Sequence, residues 1–106
     1  MSSSSEERST PTYTGHGVID EHGVPVGAVT DVVYDKTGSR PEFLVVDPGI
    51  FRAAHYVPVE GAYHTNDGQI VVPWNKQWIK HSPKASKDHL LTPIDRTDLH
   101  VHYAGV

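Results

Sequence analysis

Short β-branched runs, each closed by a turn signal, constrain this chain most. From Gly15 to Trp74 the apolar segments are only a few residues long. Gly, Pro, Asn and Asp clusters interrupt them every 8 to 15 residues. "GVIDEHG" reads as a short strand over Val18 and Ile19 and a turn, with Gly23 free to take positive φ. A second strand runs from about Val26 to Tyr34, and Gly27 inside it marks a bulge or tight bend. "DKTGSRP" turns the chain again. "EFLVVD" is a continuous apolar run, the mark of a strand covered on both sides. "HYVPV" and "QIVVPW" supply further strands, and "AYHT" a short piece. "NDG" between the last two tolerates the positive φ of a hairpin turn. With no long helix between strands, the pattern predicts mostly antiparallel neighbours and an all-β barrel or sandwich.

Two segments depart from that period. Trp74 and Trp78 stand four apart in "WNKQWIKHSP", a helical spacing, with Asn75 as N-cap and Ser82-Pro83 as the stop. The two indoles are expected to plug the core rather than stack on a ligand. In "LLTPIDRTDLHVHYAGV", Thr92 caps a helix, Pro93 takes its first position and Asp95 faces the positive end of the dipole. Gly105 is expected as its C-cap. The 106 residues suffice for one core. They divide into a polar serine-rich tail over 1–12, expected to be disordered, a barrel-like domain over 13–83, and a helical segment over 84–106. That last segment would dock on the barrel or on a second protomer.

Composition narrows the function. The chain has no cysteine, so neither a disulfide framework nor thiolate chemistry is available. No apolar run approaches the roughly 20 residues that span a bilayer, and the start has no signal-like apolar stretch. A cytoplasmic protein without membrane contact is expected. A net charge of −4 disfavours nucleic acid, and the nine lysines and arginines look scattered. Full protonation of the eight histidines would turn −4 into +4, so net charge is soft near pH 6.

Catalytic and metal-binding patterns are weak. His100 and His102 would share a metal on a strand, but on a helix they diverge by roughly 200°. His16, His22, His55, His64, His81 and His89 lack zinc-like spacing and read as surface or loop residues. No G-x-S-x-G, P-loop or G-x-G-x-x-G occurs. "PGIFRAAHYVPVEG" gathers Arg52, His55, Tyr56 and Glu60. A strand beginning at His55, however, sends His55 and Tyr56 to opposite faces and separates the four. No enzyme activity, cofactor or metal is expected. In the terminal segment Leu90, Leu91, Ile94, Leu99, Val101 and Tyr103 need covering, and of the leftover apolar residues four stand out: Ile50 and Phe51 at the corner, with Leu99 and Tyr103. All four are candidates for a partner interface.

The segment from about Thr14 to Pro83 resembles the PRC-barrel family. "GVIDEHGVPVGAVTDVVYD", "PEFLVVDPGIF", "YVPVE", "DGQIVVPW" and "KHSP" carry the likeness. Gly27, Val29, Asp31, Phe43, Leu44, Val45, Val46, Gly49 and Pro58 match the family pattern. The end, with His102, Tyr103, Ala104 and Gly105, is similar to the helical tail of stand-alone bacterial members, with one residue inserted. The family includes the cytoplasmic part of the photosynthetic reaction-centre H subunit and the C-terminal half of a ribosome-maturation factor. The resemblance implies a barrel of about six antiparallel strands with short C-terminal helical elements. It also implies a non-catalytic role in protein interaction or assembly, here as a homodimer. A metal- or small-molecule-binding protein or enzyme that uses the histidine-rich surface is the alternative.

Overall fold

The computed structural model describes residues 13–49 and 52–105. The serine-rich tail, Ile50 and Phe51 lie outside the described residues. Six strands form one sheet: β1 (Gly17–Asp20), β2 (Pro25–Tyr34), β3 (Pro41–Asp47), β4 (His55–Pro58), β5 (Tyr63–His64) and β6 (Ile70–Val72). Two helices follow, α1 (Lys76–Lys80) and α2 (Pro93–Ala104).

The spatial order is β4-β3-β2-β1-β6-β5. Four of the five pairings are antiparallel, and β1 and β6 run parallel. Among the described residues no ladder joins β4 to β5, so the sheet is mixed and open. This corrects the expected antiparallel barrel. The absence of a crossover helix pointed to antiparallel neighbours, but a parallel pair needs only a long connection. Here strands β2 to β5 make that connection themselves.

Local chemistry explains the edges of these elements. At the first turn Gly23 adopts φ 81° and donates to the Asp20 carbonyl at 2.9 Å. The β5–β6 hairpin closes through Thr65 and Gln69, with Gly68 at φ 84°. The β1–β2 register shifts so that Val18 faces Gly27 and Ile19 faces Pro25. Gly27 is required by close approach. A Cβ there would lie 2.4 Å from the Asp47 carbonyl oxygen.

Strand β3 is buried on both faces, as its unbroken apolar run suggests: Phe43, Leu44, Val45 and Val46 are all inside. Alternate side chains point to opposite faces. Phe43 and Tyr56 of β4 meet on one face, ring centroids 6.3 Å apart, and Phe43 also meets His100 of α2 at 5.6 Å. Helix α2 therefore covers that face. Fully burying an aliphatic or Phe side chain contributes about 1.5–3 kcal/mol, so this layer is a main source of stability.

Asp20 fastens the far end of the sheet. Its carboxylate accepts N–H bonds from His22 (2.8 Å), Val24 (2.9 Å) and Lys76 (3.2 Å). Burial pushes the carboxyl up, yet these backbone donors outweigh it and hold the group below its ordinary 3.8. One side chain thus ties the β1–β2 turn to the start of α1.

Candidate functional site

The terminal segment is locked onto the sheet by side chains that reach backbone atoms. Thr92 and Asp95 form a reciprocal capping box, each at 3.1 Å. Asn75 caps α1 by accepting from the Trp78 N–H at 2.8 Å. Trp74 precedes that cap, so it stands outside the helix, contrary to the expected shared helical face. Both indoles still serve one purpose. Trp74 Nε1–H donates to the Tyr103 carbonyl (3.0 Å) and Trp78 Nε1–H to the His102 carbonyl (3.1 Å). His102 returns a bond from Nε2–H to the Trp78 carbonyl at 2.7 Å and stacks on the Trp78 ring. Because that carbonyl can only accept, the His102 proton sits on Nε2.

Leu99 and Tyr103 are buried beneath α2, exposed by only 1% and 6%. This corrects their assignment as partner-interface residues: the chain's own sheet covers them. Tyr103 donates its hydroxyl to the Tyr56 carbonyl at 2.6 Å, and burial pushes the phenol up to about 12. Arg96 pairs with Glu42 and also donates to the Tyr34 carbonyl at 3.2 Å. His100 lies 3.4 Å from the same Glu42 carboxylate. Gly105 ends the helix at φ −79° rather than in the left-handed region, so its freedom is unused.

His100 and His102 diverge around α2, one toward Glu42 and the other toward Trp78. His89 donates from Nδ1 to Asp31 at 2.8 Å, which lowers the Asp31 carboxyl. Among the described residues no three His, Asp or Glu side chains converge as a metal would require.

The outer side of the same segment carries exposed apolar side chains, with Thr97 and Asp98 exposed between two of them. Leu90, Ile94 and Val101 are 68%, 72% and 68% exposed. Ile94 and Val101 are seven apart and therefore share a helical face. That face points away from Leu99 and Tyr103.

The Arg52, His55, Tyr56 and Glu60 group separates, but not completely. Arg52 and His55 border one cavity, Tyr56 a smaller one, and Glu60 a third. His55 is buried, not a surface residue as expected from its spacing. Ser82 Oγ–H donates to the Ile79 carbonyl at 2.6 Å, so the 2.9 Å contact with His55 is Nδ1–H donating to Ser82 Oγ. A base that already donates to a serine cannot take its proton, so the pair is not a nucleophile–base dyad. Burial pushes the imidazole below its ordinary 6.5.

The first of these cavities, about 480 Å³, brings Arg52 together with Lys76, Lys80 and Lys84. Four of the nine basic residues thus meet where the chain reads as uniformly scattered. The i,i+4 spacing of Lys76 and Lys80 was the available signal. Arg52 and Lys84 join them only through folding.

The PRC-barrel domain model matches residues 6–99. A comparison with curated proteins finds no match. The match spans all six strands, α1 and the first half of α2, the same elements that build the sheet and begin the docked segment. The chain belongs to the PRC-barrel domain family.

Proposed function

We propose that this chain is a non-catalytic assembly module that pairs with a second copy of itself through the outer face of α2. The carrying observation is the exposed set Leu90, Ile94 and Val101, held on a segment whose other side is fastened to the sheet. Exposed apolar side chains on a fastened segment can pair with their copies about a two-fold axis, and a small domain gains by covering them. Self-association needs no further partner chemistry. The hydrogen-bonded His55–Ser82 pair supports a structural rather than a catalytic role for those residues. Among the described residues no helix is long and apolar enough to cross a membrane.

Sedimentation velocity over a concentration series tests the proposal. Wild type should move as a dimer at micromolar concentration. Ile94→Asp with Val101→Asp should move as a monomer with an unchanged far-UV spectrum. A wild-type monomer at high micromolar concentration, or a variant that dimerises equally well, sinks it.

A further inference from the structure

The cavity between β3, β4 and α1 belongs to neither the docked nor the exposed side of α2. Its floor is apolar, formed in part by buried Val46 and Ile79. Among the described residues its lining carries four cations and no carboxylate. Among the described residues none of the four is ion-paired. The neighbouring acids are committed elsewhere. Asp20 accepts three backbone N–H bonds, and Asp47 accepts from the Gly49 N–H at 2.9 Å.

Three separate anchors hold the segments that carry the cations. The Lys76 N–H is bound by Asp20 at 3.2 Å, and Lys80 follows one turn later on the same face of α1. Lys84 forms a β-bridge with His55, secured by the Ala85 N–H to Ala54 carbonyl bond at 2.8 Å. The Arg52 N–H donates to the Gly49 carbonyl at 3.3 Å. Like charges at i,i+4 repel, and neither lysine is neutralised within the cluster. In a chain of net charge −4, this concentration of positive charge in a concave, apolar-floored site favours an anion.

We propose that this cavity binds a small organic anion with an apolar body, of the class of medium-chain or aromatic carboxylates. The cations take the carboxylate, with Arg52 able to grip both oxygens. The floor at Val46 and Ile79 takes the apolar body. The volume lies within the range of about 300–1,000 Å³ typical of ligand pockets. Polyanions fit poorly. The clustered positive charge occupies one concavity, and the rest of the chain is net acidic.

The test is a two-dimensional amide NMR titration of the full chain with octanoate, inorganic phosphate and octylammonium. Octanoate should give saturable shifts at Val46, His55 and Ile79. Phosphate should bind more weakly, and octylammonium should leave those signals in place. Lys80→Glu with Lys84→Glu, checked for an unchanged melting temperature, should weaken octanoate by roughly tenfold or more, because two rim charges reverse sign. Lys87→Glu, outside the cavity, should bind like wild type. Non-saturating octanoate shifts, equal affinity for octylammonium, or undiminished binding in the double variant would each overturn the site. So would phosphate binding as tightly as octanoate, since the apolar floor would then contribute nothing. The α2 variants of the dimer test should bind octanoate normally, so failure of one idea leaves the other standing.

Discussion

The inner and outer faces of α2 come from the same twelve residues yet meet different fates. Inward, Leu99 and Tyr103 are buried, and Arg96, His102 and two indoles from outside the helix fasten it down. Outward, Ile94 and Val101 are as apolar as anything beneath the helix and touch solvent. Hydrophobicity alone therefore does not say which residues the core takes. What distinguishes the inner face is that its aromatic groups also find polar partners: the Tyr103 hydroxyl, the Trp74 and Trp78 N–H groups and the His102 ring all end on backbone carbonyls. On the outer face Ile94 and Val101 have no such anchoring; exposed Thr97 and Asp98 lie between them, and a second surface can cover the two apolar side chains later.

The sharpest way to break this contrast is Leu99→Ala. It should cost about 2–5 kcal/mol in denaturant unfolding, through lost burial and the cavity left behind. A loss no larger than that of an exposed alanine substitution would mean that α2 is not docked as described.

Tyr103→Phe removes the bond to the Tyr56 carbonyl and should cost about 1–3 kcal/mol, because a buried acceptor loses its partner. It also carries a pH signature. The folded phenol titrates near 12, against an ordinary 10.0. Its contribution is therefore fully present below pH 10 and is lost as pH rises toward 12. Wild type should lose stability over that window, and the phenylalanine variant should lose less. Equal alkaline slopes would show that the hydroxyl is not buried as the contact requires.

Smaller still is the expected effect of Ile94→Asp with Val101→Asp on the unfolding of the single chain. It should stay within about 0.5 kcal/mol per site, the usual range for surface changes, once measured below the dimerisation range. A large loss would move these residues to the inner face. The smallest effect should come from Gly105→Ala. The backbone there does not need glycine, and an added Cβ would sit 3.5 Å or more from its neighbours. Thermal melting should shift by a degree or two at most. A clear drop would show that the helix end is more tightly packed against Trp78 than this geometry allows.

Much of this layout is readable residue by residue. The turn at Gly23, the irregularity at Gly27, the twice-covered β3, the Asn75 cap and the Thr92–Asp95 box follow from local rules, although the Asp47 backbone that Gly27 admits lies twenty residues away. The parallel β1–β6 pair does not, because strand direction within a sheet depends on where the chain returns. Nor does the burial of His55, whose partner Ser82 is 27 residues away. Tyr103 and Leu99 were recognisable as apolar residues needing cover. The choice between the chain's own sheet and a second copy lay in Trp74 and Tyr56, which bond Tyr103 across 29 and 47 residues, and in Trp78, which bonds the neighbouring His102 across 24.

What the sequence by itself determined is the set of elements: short strands, two capped helices and the turns between them, because capping, turn and alternation signals act within a few residues. Tertiary structure alone decided the sheet's open, mixed order, the side of α2 that is covered, and the convergence of Arg52, Lys76, Lys80 and Lys84 on one cavity. Those outcomes rest on packing and electrostatics between segments far apart in the chain, whose relative placement no local pattern encodes.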